Sequence, residues 1–440
     1  METARKPLLE LFIPICIETL CFMLTGMVDT MMLSTQSDAA VGAVGTANTY
    51  IGLFIIMFNV ISAGMIAVMT QYIGAGKIGV AYQARQLGAI FNAIIGIILS
   101  LILFHLSGSI LEVVGVAPLL AGYAKTYLTI VGGACFLNAL IPIFSSYLRA
   151  FGFTKQPLYA TLSANLVNLI LNAFFLFYMQ WGVAGVAIAT VISRATNLFI
   201  VFVLSERLIQ AKKYPERLKN FEVLGQIIKI GLPAALETAL YNIAMTCTIA
   251  MLNQMDADGI NVTARAYTVQ ISNFSYCIGA ALAQANAILT GWYVGAREFE
   301  ACEKGIKKAA LIGVMIAALL ETFFALSSPI LMQAFTQDPV MISLVRKLLA
   351  IDIVLEIGRV TNLVYVQALK TSGDAIFPTV IAVFFMFICM VGGTYIFGLE
   401  LGLLAVGAYI GMASDECVRA IFMVLRWRSG KWKEKGLIKQ

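Results

Sequence analysis

Apolar residues run through this chain in long stretches, and short polar segments separate one stretch from the next. A helix of about twenty apolar residues crosses a hydrocarbon core of ~30 Å, whereas the strands of a membrane barrel alternate apolar and polar positions. The pattern therefore predicts membrane-spanning helices. The predicted spans are residues 8–33, 41–70, 84–107, 118–143, 157–180, 183–205, 227–253, 262–291, 305–330, 342–368, 375–398 and 402–427.

Several motifs occur twice, about half a chain apart. The motif PxxxET begins at residue 14 and again at residue 233, and L(R/K)xxGxxxxP begins at residues 148 and 369. Because each half holds an even number of spans, both copies enter the membrane from the same side. The sequence thus predicts an all-α polytopic membrane protein, with twelve transmembrane helices in two parallel six-helix repeats and a binding site where the bundles meet.

Lysine and arginine are concentrated in alternate polar segments, which indicates the orientation. The segment 206–226 and the end of the chain are rich in them, whereas segments 34–41 and 253–262 contain none. The positive-inside rule therefore places both termini and the central segment in the cytoplasm, with the chain in the cell membrane. The predicted organisation is an amino-terminal six-helix bundle (1–205), a cytoplasmic linker (206–226), a carboxy-terminal six-helix bundle (227–427) and a basic cytoplasmic tail (428–440).

Composition agrees with this picture and excludes several function classes. Hydrophobic residues make up 60% of the chain and charged residues 12%, against about a quarter charged in soluble domains. The net charge of +6 reports orientation, so no nucleic-acid partner is predicted. The cysteines form no CxxC or Cys/His cluster, and His105 is the single histidine. We therefore predict no zinc site, no cofactor and no enzyme; the predicted partners are the bilayer and a small-molecule substrate, and the predicted state is a monomer.

An acid within the first span is the leading candidate for a functional residue. Asp29 has no Lys or Arg within a helical turn, and a carboxylate at membrane depth costs roughly 3 kcal/mol or more. The fifth span offers Asn168 and Asn172, and the sixth offers Thr190. One carboxylate with amide and hydroxyl oxygens suits a proton or a hard monovalent cation. Two alternatives remain open: the Asn and Thr side chains connect helices, or Arg194 neutralises Asp29.

The second half carries a different set of charges. Asp352, Glu356 and Arg359 lie on the tenth span at helical spacings, so internal ion pairs compete with a titratable site in which Glu356 is the candidate. Asp415 and Arg419, on the twelfth span, are interpreted as an ion pair.

Three further acids lie within predicted spans. Glu18 and Glu237 each follow the proline of the PxxxET motif. We expect them to have a symmetric structural role, satisfying backbone groups that the proline frees. Glu321, in the middle of the ninth span, has no local partner and no assigned role.

These motifs together resemble the multidrug and toxic compound extrusion (MATE) transporters, over nearly the whole chain. The resemblance rests on PxxxE and GMVDT in the first span, the loops YIGAGK and YVGAR, and the segments LRAFGFTKQP and WGVAGVAIAT. The late run EIGRVTNLVYVQALKTSGDAIFP, followed by DECVRA and RWRSGKW, resembles a bacterial branch of that family.

The resemblance implies secondary active efflux of drugs or amphipathic organic cations by alternating access, coupled to entry of H⁺ or Na⁺. It implies that Asp29, Asn168, Asn172 and Thr190 form the cation-coupling site, with Na⁺ at Asp29 the only metal ion considered. Archaeal relatives have an aspartate at the position of Asn172, so this site has one charge fewer. Glu356 falls where some members keep an aspartate.

Two other transport functions and a scaffold role are alternatives. Export of an anionic metabolite such as a flavin would use Arg194 and Arg359 as binding residues. A flippase for a lipid-linked precursor shares the two-half architecture but needs a basic cavity, whereas the intramembrane balance here is acidic. A scaffold that transports nothing would not require Asp29.

Overall fold

The computed structural model describes residues 6–114, 116–256, 258–333 and 335–438, and within these residues it contains helices and loops but no β-strand. The chain divides into two compact units, Met1–Leu232 and Pro233–Gln440. Each unit has its own buried apolar core.

The first unit is a bundle of long helices with two π-helical segments. The π-helical segments are Leu128–Gly132, which follows α4, and Phe174–Tyr178, which follows α6. The helices are α1 (Leu8–Ser34), α2 (Asp38–Gly74), α3 (Ile78–Val114), α4 (Pro118–Tyr127), α5 (Phe136–Ala150), α6 (Lys155–Ala173) and α7 (Gly182–Leu208).

The second unit begins inside a helix, at Pro233. The π-helical segments Met386–Val391 and Thr394–Glu400 continue its fifth helix, α12, much as a π-helical segment continues α6 in the first unit. The remaining helices are α8 (Asn220–Met255), α9 (Ile260–Gly295), α10 (Phe299–Met332), α11 (Pro339–Thr371), α12 (Ile376–Phe385) and α13 (Leu404–Arg428).

The predicted spans fall on these helices and their π-helical continuations, and the fourth predicted span corresponds to α4 and α5, which are bent by 45° relative to each other. Across the described ranges, eight helices are long and apolar enough to cross a membrane, or nine with the bent pair, and α2 contributes a shorter apolar helix, Val60–Gly74. The helices α11 and α13 fall outside that count because each carries several charged residues. The predicted all-α polytopic fold of two six-helix repeats is confirmed.

Helix α11 is the central helix of the second unit, since it packs against α9, α10 and α13. Apolar residues on several sides of α11 are therefore buried, including Val345, Leu348 and Leu355, each 0% exposed. The same packing encloses two of its acids, so that Asp352 is 2% exposed and Glu356 is 0% exposed. The fold thus places these two acidic residues in the interior of the second unit.

The predicted linker, residues 206–226, is held against the start of α3. The side chain of Gln83 donates to the carbonyl oxygen of Leu218 at 2.7 Å and accepts from the Leu218 amide at 3.0 Å. Arg217 donates to the carbonyl oxygen of Gly79 at 2.8 Å. The segment is therefore anchored to the first unit; its cytoplasmic location stays a prediction.

The helices α2 and α8 approach each other through two glycines of the first unit. A Cβ atom added to Gly231 would lie 1.7 Å from the carbonyl oxygen of Val60, and one added to Gly64 would lie 1.9 Å from that of Ile227. Small residues at helix contacts in membranes allow such close backbone approach. Neither position therefore has room for any side chain.

We expect Gly231→Ala to destabilise the protein by more than the ~1–3 kcal/mol of ordinary overpacking, because the new methyl group meets backbone atoms. Gly225→Ala is the matched control, since Gly225 lies on the same helix with open space around it. The measurement is the melting temperature of each variant in detergent. Equal melting temperatures for the two variants would contradict the close approach.

Candidate cation and substrate sites

Asp29 lies near the end of α1, where α1 packs against α6. The Nδ2 atom of Asn172 donates to Oδ1 of Asp29 at 2.7 Å and to Oδ1 of Asn168 at 3.1 Å. Asn172 is fully buried and Asn168 nearly so, whereas Asp29 is half-buried. The structure therefore joins three of the four predicted cation-site residues in one hydrogen-bonded chain.

Thr190 stands apart from this hydrogen-bonded chain. Its hydroxyl donates to the carbonyl oxygen of Val186 in the same helix at 2.8 Å, and it also interacts with the phenol of Tyr127. Arg194, one turn further along, acts on Asp29 electrostatically. Within the described ranges, however, no ion pair joins Arg194 to Asp29. Tyr127 carries no charge and repeats no motif, so the sequence offers no signal for it.

The Asp29 site contains an acceptor atom that has no hydrogen-bond donor. The Oδ1 atom of Asn172 is buried and has no hydrogen-bond partner, and Asp29 accepts from an amide without forming an ion pair in the part of the chain that the structure describes. Among those residues no group of three His, Cys, Asp or Glu side chains is placed to hold a metal ion. A single carboxylate beside amide oxygens fits a proton or a monovalent cation.

The same partly buried ion pair occurs in both units, at corresponding positions of the repeat. In the first unit, Arg149 lies 2.7 Å from Glu18, and Thr161 donates to the same carboxylate at 3.3 Å. The second unit repeats this arrangement, with distances of 2.8 Å and 3.2 Å, in Glu237, Lys370 and Thr379. The predicted symmetry of the two glutamates is therefore observed, but their partners are a cation and a hydroxyl. The expected backbone partners were wrong, because the cation that pairs with each glutamate is distant in sequence and leaves no local pattern.

A chain of ion pairs links α11 to α13 in the second unit. Arg359 pairs with Glu356 on its own helix and lies 3.5 Å from Glu416 on α13. Arg419 lies 2.9 Å from Glu416 and 2.5 Å from Asp415. The predicted pairing of Asp415 with Arg419 is confirmed. Three carboxylates thus share two guanidinium groups.

Asp352, the remaining predicted member of this charge cluster, does not join the chain of ion pairs. Its Oδ2 atom accepts a hydrogen bond from Ser272 of α9. Glu321 of α10 is 0% exposed, and neither of its carboxylate oxygens has a hydrogen-bond partner. The structure therefore leaves two buried acids, Asp352 and Glu321, outside the ion pairs.

A cavity of about 460 Å³ opens beside the ion pairs of the second unit, a volume typical of small-molecule sites. Its wall combines acids, aromatic rings and guanidinium groups. Arg265 differs from the other two arginines on the wall, because it contacts the sulfur of Met245 at 2.9 Å and its buried Nε has no partner. The charged and aromatic wall residues are Glu237, Tyr241, Arg265, Tyr276, Asp352, Arg359, Tyr409, Glu416 and Arg419.

Comparison with known proteins gives one consistent relationship. The MatE family model matches residues 14–174 and 233–396, one stretch in each repeat. The "Uncharacterized transporter YisQ" of Bacillus subtilis is 33% identical, over 96% of this chain and 94% of that protein. The "Probable multidrug resistance protein NorM" of Thermotoga maritima is 24% identical, over 99% of this chain and 94% of that protein. A solved structure of a multidrug resistance MATE family transporter, in an outward-facing conformation, has a TM-score of 0.88 at 21% identity, over 98% of this chain and 96% of that one.

The repeated ion pair makes a prediction for stability. Lys370→Met leaves the partly buried Glu237 without its cation, so we expect it to lower the free energy of unfolding by more than the ~1 kcal/mol of a surface pair. The double variant with Glu237→Gln should recover most of that loss. Lys433→Met, which breaks the half-exposed pair with Glu303, should cost at most ~1 kcal/mol. Unfolding in detergent measures all three, and a Lys370→Met protein as stable as Lys433→Met would refute the pairing.

Proposed function

Since the chain belongs to the MatE family of membrane transporters, we propose that it exports amphipathic organic cations or drugs in exchange for H⁺ or Na⁺. The observation that carries this proposal is the position of Asp29, an intramembrane acid held by the amide of Asn172 and by no cation among the described residues. Family members are transporters and not enzymes, so the chemistry to be explained is coupled binding.

Coupling follows from the hydrogen-bonded chain at Asp29. A proton or Na⁺ on the carboxylate competes with Asn172 for the same oxygens, and a change at Asn172 reaches Asn168 through their shared hydrogen bond. Occupancy of the acid therefore changes how α1 packs against α6. Thermodynamic linkage requires that, if the ion lowers affinity for substrate, substrate lowers affinity for the ion to the same degree.

The substrate class follows from the cavity of the second unit. Asp352 and Glu416 supply negative charge on its wall, and Tyr241 and Tyr276 supply aromatic faces. Both features attract an amphipathic cation, through charge and through cation–π contact. In this proposal the protein is a monomer in the cell membrane, with its termini and linker in the cytoplasm, and the two halves work by alternating access.

Asp29→Asn is expected to abolish gradient-driven transport, because the amide cannot take up or release a proton and carries no charge for Na⁺. The measurement is efflux of ethidium from liposomes that contain purified protein, under an imposed pH gradient or an imposed Na⁺ gradient. The gradient that drives the wild type identifies the coupling ion. Asp258→Asn, at an exposed acid, is the matched control and should transport normally.

Two outcomes would count against the proposal. Wild-type transport that depends on neither the pH gradient nor the Na⁺ gradient would contradict the exchange mechanism. Normal coupling in a well-folded Asp29→Asn protein would move the coupling site elsewhere, with Glu356 the next acid to replace.

Export of an anionic metabolite such as a flavin is the second candidate function, and Arg265 favours it. Arg359 and Arg419 each contact two carboxylates. Arg265 forms no ion pair in the described part of the chain, yet its guanidinium lies on the cavity wall. An anionic ligand would give this group the partner that the protein does not supply.

Flavin mononucleotide tests this second candidate, because protein binding quenches its fluorescence. If the cavity takes anions, Arg265→Met should weaken binding by about tenfold or more, as expected for the loss of a charge-assisted hydrogen bond, while ethidium binding stays the same or improves. Arg346→Met, on the same unit, serves as the control for charge alone. A wild type that binds ethidium but not the flavin would exclude anion export.

A further inference from the structure

The second unit buries more acids than cations around α11. Five carboxyl groups and two guanidinium groups meet there, and Arg265 on the cavity wall adds a third positive charge. Excess negative charge in a membrane interior is costly, so part of this cluster must hold protons or a bound cation. The acids are Glu321, Asp352, Glu356, Asp415 and Glu416, and the guanidinium groups are those of Arg359 and Arg419.

The ion pairs identify which acids carry the excess. Glu356, Asp415 and Glu416 each lie within ion-pair distance of a guanidinium group. Glu321 and Asp352 form no ion pair in the residues that the structure describes, although they are 0% and 2% exposed. The uncompensated charge therefore falls on these two residues, which face each other from α10 and α11.

The surroundings of Glu321 are polar but supply no cation to it. Both of its oxygens and the hydroxyl of Ser275 are buried without a hydrogen-bond partner. Asp352 and Glu356 act on Glu321 electrostatically from α11, and the hydroxyl of Ser275 on α9 is the group placed to donate a hydrogen bond to it. The other charged or titratable groups that face the two acids are Arg359, which already pairs with Glu356, and Tyr409 of α13.

We propose that Glu321 and Asp352 form a proton-binding site in the second unit, separate from Asp29, with one proton held between the two carboxyl groups. Two adjacent carboxylates repel each other, so the pair holds a proton more tightly than either acid alone. A proton is the proposed occupant, because two adjacent carboxyl groups can share one proton.

The position of the pair connects it to the cavity. Asp352 lies on the cavity wall and accepts the hydroxyl hydrogen of Ser272, whereas Glu321 is not among the wall residues. An organic cation in the cavity stabilises ionised Asp352, so the shared proton leaves the pair for solvent as the cation arrives. This release rests on the proposed efflux function; the proton site itself does not.

Infrared difference spectroscopy tests the proton site directly, because a protonated carboxyl group has a carbonyl stretch that a carboxylate lacks. We would titrate pH in lipid-reconstituted Asp29→Asn protein, so that Asp29 contributes nothing. The expected result is a protonated-carboxyl band that shrinks as pH rises. Glu321→Gln should remove or shift that band, and Asp352→Asn should shift it. Glu303→Gln, at a half-exposed acid, should leave it unchanged.

The result that overturns the site is a band identical in Asp29→Asn and in Asp29→Asn/Glu321→Gln. Loss of the band on adding Na⁺ at constant pH would also overturn it, in favour of a Na⁺ site. Glu321→Asp keeps an acid at this position and should retain a shifted band even if Glu321→Gln folds poorly. None of these spectra requires transport, so a failed proton site and a failed efflux function give different results.

Discussion

A charge inside a membrane must find a partner, a proton or water, and this requirement orders the structure described here. Both units satisfy this requirement with the same ion pair. A glutamate that follows a proline near the start of the repeat pairs with a cation and a hydroxyl from later in that repeat. Glu18 with Arg149 and Glu237 with Lys370 join the first helix of each repeat to helices far away in sequence. These contacts are therefore part of the framework that both repeats share.

Beyond that framework the two repeats solve the same problem differently. The first unit keeps Asp29 with a single amide partner, Asn172, and without an ion pair among the described residues. In the second unit, ion pairs between acids and arginines connect α11 to α13. Two further acids, on α10 and α11, lie outside these ion pairs. A duplicated fold has thus acquired one simple polar site and one crowded one.

The sequence predicted the spans and the repeats, because an apolar run and a duplicated motif are local signals. It also offered Asn172 among the candidate partners of Asp29, because two amides lie on one helical face. It did not predict that the Thr190 hydroxyl donates to its own helix and takes no part in the hydrogen bonds at Asp29. A threonine in a helix can bond either a distant partner or its own backbone. The partners of Glu18 and Glu237 were also missed, because each lies more than a hundred residues away. Likewise, the isolation of Glu321 depends on what α9 and α11 place around it.

The anchoring of the polar segment between the repeats has a mechanical consequence. Hydrogen bonds of Gln83 and Arg217 hold this segment against the first unit. At Gly231 the backbone of α8 packs directly against the backbone of α2. The polar segment between the repeats is therefore fixed to the first unit and is not a flexible linker. The boundary between the two compact units falls at Pro233, whose ring removes one backbone hydrogen bond of α8. The covalent connection between the two compact units therefore lies inside a helix, at a residue type that weakens helices, and not in the polar segment before it.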